Sequence, residues 1–260
     1  MSAATPSFRS RRLWLVAFMV WVSACAAQVQ NPQSGKKGVG LAESEGLGMR
    51  ELAALRVSWY YNWGARSGLP AASMFVPMAF SPRRVADLPA HSPYVLGFNE
   101  PDNAKQSDVT PEAAAQAWQA LGLKAASLGS PALAKNPLAP GNWLERFLGL
   151  GAKVDFITVH WYKGAEARKF IDDMRAICAA YGKPVWVTEF APQTAAQARA
   201  DPQKYSQAQV DQFIRETTRW MAASPCVHRY AWHDAKRGSS ALFEGGQLTA
   251  TGRSYASIAP

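Results

Sequence analysis

The stretch Tyr94-Val95-Leu96-Gly97-Phe98-Asn99-Glu100-Pro101-Asp102 decides how the chain is read. Five mostly apolar residues end abruptly in a polar Asn-Glu pair followed by proline. A continuous apolar run suits a strand covered on both faces, and Pro101, with no N–H, cannot continue a central strand. Glu100 is therefore expected at the C-terminal end of a buried strand. In a parallel barrel that end is the mouth where functional side chains gather. For one Asn-Glu-Pro taken alone, a helix N-cap or an ordinary loop glutamate is an equal alternative.

Outward from this stretch, apolar strand-like runs alternate with longer helix-like segments, the pattern of parallel βα units. Before it come short runs at residues 38–41, 57–63 and 74–80, with an Ala/Leu-rich helix over 44–55. After it, Thr110-Pro111-Glu112 reads as an N-cap with proline at the first helical position, opening a helix to about Ala126. A weak strand follows at 128–130, then a helix at 142–150, strands at 156–162 and 183–190, and helices at 165–181 and 206–223. An eighth strand at 227–232 precedes a final helix near 251–258. Eight strands with intervening helices predict a single-domain α/β fold, the (β/α)8 TIM barrel. An open doubly wound sheet is the competing architecture, but no G-x-G-x-x-G or G-x-x-x-x-G-K-[ST] marks a nucleotide site.

The 260 residues, 48% hydrophobic and 18% charged, are enough for one substantial core. Arg9, Arg11 and Arg12 precede an apolar run from Leu13 to Ala27, read as a signal peptide over residues 1–25. The run is shorter than the roughly 20 residues a membrane span needs. Val22-Ser23-Ala24-Cys25 resembles a lipobox, with Cys25 as the lipidated residue, whereas Ala24-Cys25-Ala26 would suit ordinary cleavage. Residues 26–37 then form a polar tether, and 38–260 the folded domain. Export to the cell envelope, lipid-anchored or secreted, is expected. Cys178 and Cys226 are left as a pair that can bond in an oxidising compartment or stay as two buried thiols. The net charge of +9 is not concentrated into a nucleic-acid surface: Arg83-Arg84 and Lys236-Arg237 are isolated pairs.

A second carboxylate completes the pattern. Glu189, in Val187-Thr188-Glu189-Phe190, closes the seventh strand as Glu100 closes the fourth, and in a barrel both ends face one mouth. Hydrolysis of a glycosidic bond needs one carboxyl to protonate the leaving oxygen and another to attack the anomeric carbon or activate water. No G-x-S-x-G elbow suggests a serine hydrolase, and Ser130 reads as structural or as a sugar contact. His160, His233 and Asp234 could be imagined as a metal set, but no ligand spacing supports it, so neither metal nor cofactor is expected.

The motifs Tyr60-Tyr61-Asn62-Trp63, Gly97-Phe98-Asn99-Glu100-Pro101, His160-Trp161-Tyr162 and Thr188-Glu189-Phe190, in this order, resemble glycoside hydrolase family 128 of clan A. The resemblance runs from about Lys37 to Ser257. It implies a retaining, endo-acting β-1,3-glucanase with Glu100 as general acid/base and Glu189 as nucleophile. Asn99 is then expected on the sugar 2-hydroxyl, His160 and Tyr162 on the nucleophile or sugar hydroxyls, and Asn62 in the substrate-binding set. Trp63, Trp161 and Trp232 are expected to stack on the pyranose rings. A non-catalytic glucan-binding protein on the same barrel, or a hydrolase of another β-glucan or envelope polysaccharide, are the alternatives. The expected partner is a polysaccharide, met by a monomer, with membrane contact only through the lipid anchor.

Overall fold

Alternation of short apolar strands with amphipathic helices gives a parallel α/β architecture in a computed structural model that describes residues 1–2, 35–71, 74–233 and 240–260. The signal segment, Cys25, nearly all of the tether, Asp234 and the Lys236-Arg237 pair lie outside the described residues. Asn31–Pro260 forms one compact unit.

Among the described residues, seven strands alternate with helical segments: β1 Lys37–Gly40, β2 Trp59–Tyr61, β3 Ser92–Val95, β4 Ala125–Leu128, β5 Ile157–Trp161, β6 Val185–Phe190 and β7 Val227–Trp232. Five form a parallel sheet in the order β2-β1-β7-β6-β5, and β3 pairs with β4 in parallel. Single parallel bridges, Tyr60 with Phe75, Met78 with Leu96, and Gly129 with Phe156, run between these groups. A small antiparallel hairpin, β8 Phe243–Glu244 and β9 Gln247–Leu248, follows. The pairing among strands β1 to β7 is parallel throughout, so the fold is of the α/β class.

Among the described residues the α-helices are α1 Met49–Leu55, α2 Pro111–Gly122, α3 Trp143–Gly149, α4 Ala167–Tyr181, α5 Ala195–Ala200, α6 Gln207–Ala223 and α7 Ala250–Ala256. Their starts are written locally. The Thr110 hydroxyl accepts from Ala113 N–H at 3.2 Å, Asn142 caps α3, and Ser206 with Gln209 forms a capping box on α6. Phe170, Met174 and Ile177 form the buried stripe of α4, and Val210, Phe213, Ile214, Thr217 and Met221 that of α6.

Two expected strands and one helix end differ in detail. The run 74–80 carries only the isolated bridges at Phe75 and Met78; Pro77 between them has no N–H, so a continuous ladder cannot form. The run through Glu100 pairs regularly only at Ser92–Val95 and continues through bridges at Leu96 and Asn99. Helix α2 stops at Gly122 and not near Ala126, because Ala125 and Ser127 pair with Ser92 and Tyr94. Helix-favouring composition there yields to strand pairing.

Two apolar layers position the site. Trp59, Tyr61, Val76, Met78, Leu96, Phe156, Trp186 and Ala231 form one cluster, in which Trp59 stacks beside Tyr61 at 6.1 Å and Phe156 lies flat on Trp186 at 4.2 Å. The other fills the space between strands and helices, with Trp161, Phe170, Phe190, Phe213 and Trp232 in mutual contact. Cys178, in the last turn of α4, is bonded to Cys226, one residue before β7, with Cα atoms 6.2 Å apart.

Candidate active site

Side-chain alternation along a strand sends residues two apart to one face. On β5 and its continuation that rule puts His160 and Tyr162 together at the strand end and turns Trp161 to the other side. β6 brings Glu189 beside them, opposite His160 in register, through an irregularity between Val187 and Phe190 in its pairing with β7.

Glu100 stands at the turn after the bridge of Asn99 to Ala132, with φ of 42°. That left-handed backbone is unusual for a residue with a side chain. It is held by Glu100 N–H donating to Ala132 O at 2.8 Å and Asn103 N–H donating to Glu100 O at 3.1 Å. Asp102 accepts from Ala134 and Lys135 N–H at 2.8 and 3.0 Å, tying this turn to the loop after β4. The Glu100 carboxyl takes Asn103 Nδ2 on Oε2 at 2.9 Å and lies 3.0 Å from His160 Nδ1 through Oε1.

Glu189 is 5% exposed and surrounded by donors. Trp63 Nε1 donates to Oε1 at 2.8 Å, Tyr61 Oη to the same oxygen at 3.2 Å, and Tyr162 Oη to Oε2 at 2.5 Å. His160 Nδ1 and His233 Nδ1 lie 3.5 and 3.7 Å from Oε2. Burial would push this carboxyl up, but the imidazoles of His160 and His233 and the Tyr162 and Trp63 hydrogen bonds outweigh it, bringing the pKa down to about 2. Burial opposes a charge on His160, yet Glu189 and Glu100 on either side raise its pKa above the ordinary value. The hydroxyls of Tyr61 and Tyr162 are held protonated, by burial first and then by the Glu189 charge.

One ligand atom each from Glu100, His160 and Glu189 lie within 4.8 Å of one another. Within this trio, His160 Nδ1 lies 3.0 Å from Glu100 Oε1 and 3.5 Å from Glu189 Oε2. A cavity of about 280 Å³ opens beside it, lined by Glu100, Asn103, Lys135, Asn136, Tyr162 and Gln197 among others. The trio sets the Glu189 carboxylate next to a second carboxyl that contacts an imidazole, the two-carboxyl arrangement acid-and-nucleophile chemistry requires.

Other expected site residues fare differently. Trp63 is half-buried at the site, with its backbone at φ 60°. Asn99 is buried; its Nδ2 donates to Gln106 at 3.3 Å, while its Oδ1 and His160 Nε2 have no partner among the described residues. Asn62 shapes the turn after β2, donating to Glu43 Oε1 and Arg66 O and accepting from Gly64 N–H. Trp161 and Trp232 are not stacking platforms. Trp161 is 1% exposed, lies flat on Phe213 and donates to Asp173. Trp232 is fully buried against Phe190 and Tyr255 and donates to Ser240 O. Both occupy the strand face that meets the helices. Ser130 is buried and bonded to Thr158, a structural contact. Tyr61, Asn103 and His233 enter the site although sequence reasoning assigned them no role there; the two-residue alternation from Ala231 points His233 to the same side, and nothing local singles out Asn103.

Comparison with known proteins agrees with this geometry. The glycosyl hydrolase catalytic core family matches residues 40–255. A subgroup I endo-β-1,3-glucanase of glycoside hydrolase family 128 from Amycolatopsis mediterranei, a variant solved with laminaripentaose, is 30% identical with a TM-score of 0.72, over 85% of this chain and 98% of that one. A curdlan-specific exo-β-1,3-glucanase of subgroup III from Blastomyces gilchristii is 31% identical with a TM-score of 0.67, over 88% and 100%. Alkali-sensitive linkage protein 1 of Schizosaccharomyces pombe is 31% identical over 176 residues, which is 61% of this chain and 32% of that protein. The chain thus spans about a third of the length of that curated relative. With a family match across nearly the whole domain and solved relatives covered almost end to end, the chain belongs to glycoside hydrolase family 128 and is a glycoside hydrolase.

Proposed function

We propose that the protein is a retaining, endo-acting β-1,3-glucanase with Glu189 as nucleophile and Glu100 as general acid/base. The observation that carries the reading is the pairing of a carboxylate that accepts from three hydrogen-bond donors with a second carboxyl one of whose oxygens lies within 4.8 Å of it. Retaining enzymes hold their carboxyls about 5–5.5 Å apart, whereas inversion needs room for a water and roughly 6.5–9.5 Å.

In the first step Glu189 forms a bond to the anomeric carbon as the glycosidic C–O bond breaks, and the proton of Glu100 passes to the departing oxygen. In the second, Glu100 takes a proton from water, whose oxygen displaces Glu189 from the same carbon. Asn99 Oδ1, buried beside Glu100 and unpartnered, is suited to receive a sugar hydroxyl. Trp63 supplies the aromatic face at the site. The β-1,3-glucan assignment is supported by the solved relatives that bind laminari-oligosaccharides at about 30% identity. An exo-acting reading has the Blastomyces relative on its side.

The bridges flanking Phe75, Met78 and Gly129 support closure of the strands into a (β/α)8 barrel, with the segment around Val76 as the stave between β2 and β3. The signal peptide over 1–25, the tether over 26–37, lipidation at Cys25, export and a monomeric state belong to the same reading. The Cys178–Cys226 bond supports an oxidising compartment.

Reducing ends released from laminarin by the purified protein test the activity. A ladder of oligosaccharides is expected early; glucose alone would make the enzyme exo-acting, and binding without release would remove the substrate assignment. Glu189→Ala should lose roughly 10⁴-fold or more in kcat and recover with azide as the inverted glycosyl azide. Rescue of that product by Glu100→Ala instead would exchange the two roles.

A further inference from the structure

His233 follows β7 directly, and its ring is held in place by neighbours. The His233 backbone N–H donates to Phe190 O at 3.2 Å. Trp63 meets the imidazole edge-on at 5.2 Å, and Tyr162 does so at 5.9 Å. The contact of interest is Tyr162 Oη, which lies 2.6 Å from His233 Nδ1 and 2.5 Å from Glu189 Oε2.

A phenol has one proton to give, and here it has two close neighbours. An ionised carboxylate can only accept. Were Tyr162 to donate to His233, its bare oxygen would face the Glu189 oxygen at 2.5 Å with no hydrogen between them. The hydroxyl therefore donates to Glu189. Its oxygen must then be the acceptor toward the imidazole, so His233 Nδ1 carries a hydrogen.

We infer that His233 is a positioning residue, whose Nδ1–H donates to Tyr162 Oη and thereby keeps the tyrosine's only proton aimed at the Glu189 carboxylate. The consequence extends through both steps of a double displacement. Before attack the aimed donor holds Glu189 as an oriented carboxylate; in the second step the carboxylate reforms as the leaving group into a donor already in place. Fixed donors of this kind need no reorganisation when charge develops. Tyr61 and Trp63 serve Oε1 and cannot substitute at Oε2. The inference rests on the assignment of Glu189 as nucleophile.

Two readouts on the full chain test it. In the ¹⁵N-histidine-labelled protein, long-range ¹⁵N–¹H correlation should show a proton on His233 Nδ1, the resonance being assigned by its loss in His233→Asn. A bare Nδ1 would overturn the inference, and this measurement needs no substrate. In laminarin turnover, His233→Ala should lower kcat by about 10- to 100-fold with KM within about threefold, because the Tyr162 hydroxyl is no longer held and its hydrogen bond to the charged Glu189 carboxylate is weakened. His233→Asn, whose amide can stand where Nδ1 stood, should recover to within about threefold of the parent, and His233→Ala should add less than about twofold on a Tyr162→Phe background. An alanine variant with parental kcat, a folded asparagine variant with no recovery, or an undiminished loss without the Tyr162 hydroxyl would each overturn the inference. If His233→Ala does not fold, the asparagine variant and the spectrum decide. A Glu189→Ala variant with parental turnover would instead defeat the nucleophile assignment and leave the tautomer result standing by itself.

Discussion

Glu189 and His160 stabilise each other over a limited pH range. The Glu189 pKa is lowered from 4.5 to about 2 in the folded protein, so its contribution to stability is present in full above 4.5 and lost as pH falls toward 2. The His160 pKa is raised from 6.5, so its contribution is present in full below 6.5 and lost as pH rises through the folded value. Thermal melts of the wild type and of Glu189→Gln should therefore differ in a pH-dependent way. The wild type's relative stability is expected to be greatest between pH 4.5 and 6.5 and to decline on both sides; a difference flat with pH would show that the two groups are not coupled. The tryptophans give a second expectation. Trp232→Phe should lower Tm, because it shrinks a fully buried ring and removes the donor to Ser240 O. KM should stay within about twofold, since no contact with sugar is lost. A large rise in KM at unchanged Tm would return Trp232 to the substrate. That correction was in principle readable: if His160 and Tyr162 share a face, Trp161 cannot, and the same alternation sets Trp232 apart from His233.

At the scale of elements, caps and amphipathic spacing were legible because their causes are local. Thr110-Pro111, Asn142 and Ser206 mark helix starts within a residue of where the helices begin. Strand limits were less legible, because pairing is decided by a partner distant in sequence. Gly97 illustrates this: a Cβ there would lie 2.7 Å from Gly129 O, a close approach that only the folded neighbour reveals. The hairpin β8–β9 and the short helix α5 left no periodic trace, being two and six residues long. The Cys178–Cys226 bond fastens the end of α4 to the start of β7 and closes a loop of 48 residues. Reduction, or Cys178→Ala with Cys226→Ala, should remove about 2–4 kcal/mol and lower Tm by roughly 5–15 °C. Activity at 25 °C should be retained, because the bond lies away from the glutamates. An unchanged melting curve would mean that the bond adds nothing to the folded domain.

At the scale of the whole molecule, the folded domain and the proposed signal segment make separate expectations. Among the described residues no helix is long and apolar enough to cross a membrane. The proposed lipidation at Cys25 is tested separately. Cys25→Ala should release the protein from membranes into the soluble exported fraction, followed by fractionation and immunoblotting. An unchanged distribution would remove the lipid anchor and leave ordinary cleavage.

The sequence by itself determined the kind of fold and the two carboxylates. Alternating apolar runs demand a parallel α/β arrangement to cover their faces, and Glu100 and Glu189 close two of those runs. Only the tertiary structure decided what surrounds the carboxylates. Tyr61, Trp63, Tyr162, His160 and His233 come from three chain segments, and their effect on Glu189 depends on distances of 2.5 to 3.7 Å. Hydrogen bonding and charge at that range vary steeply with position, and position at that scale is set by packing between segments far apart in the chain.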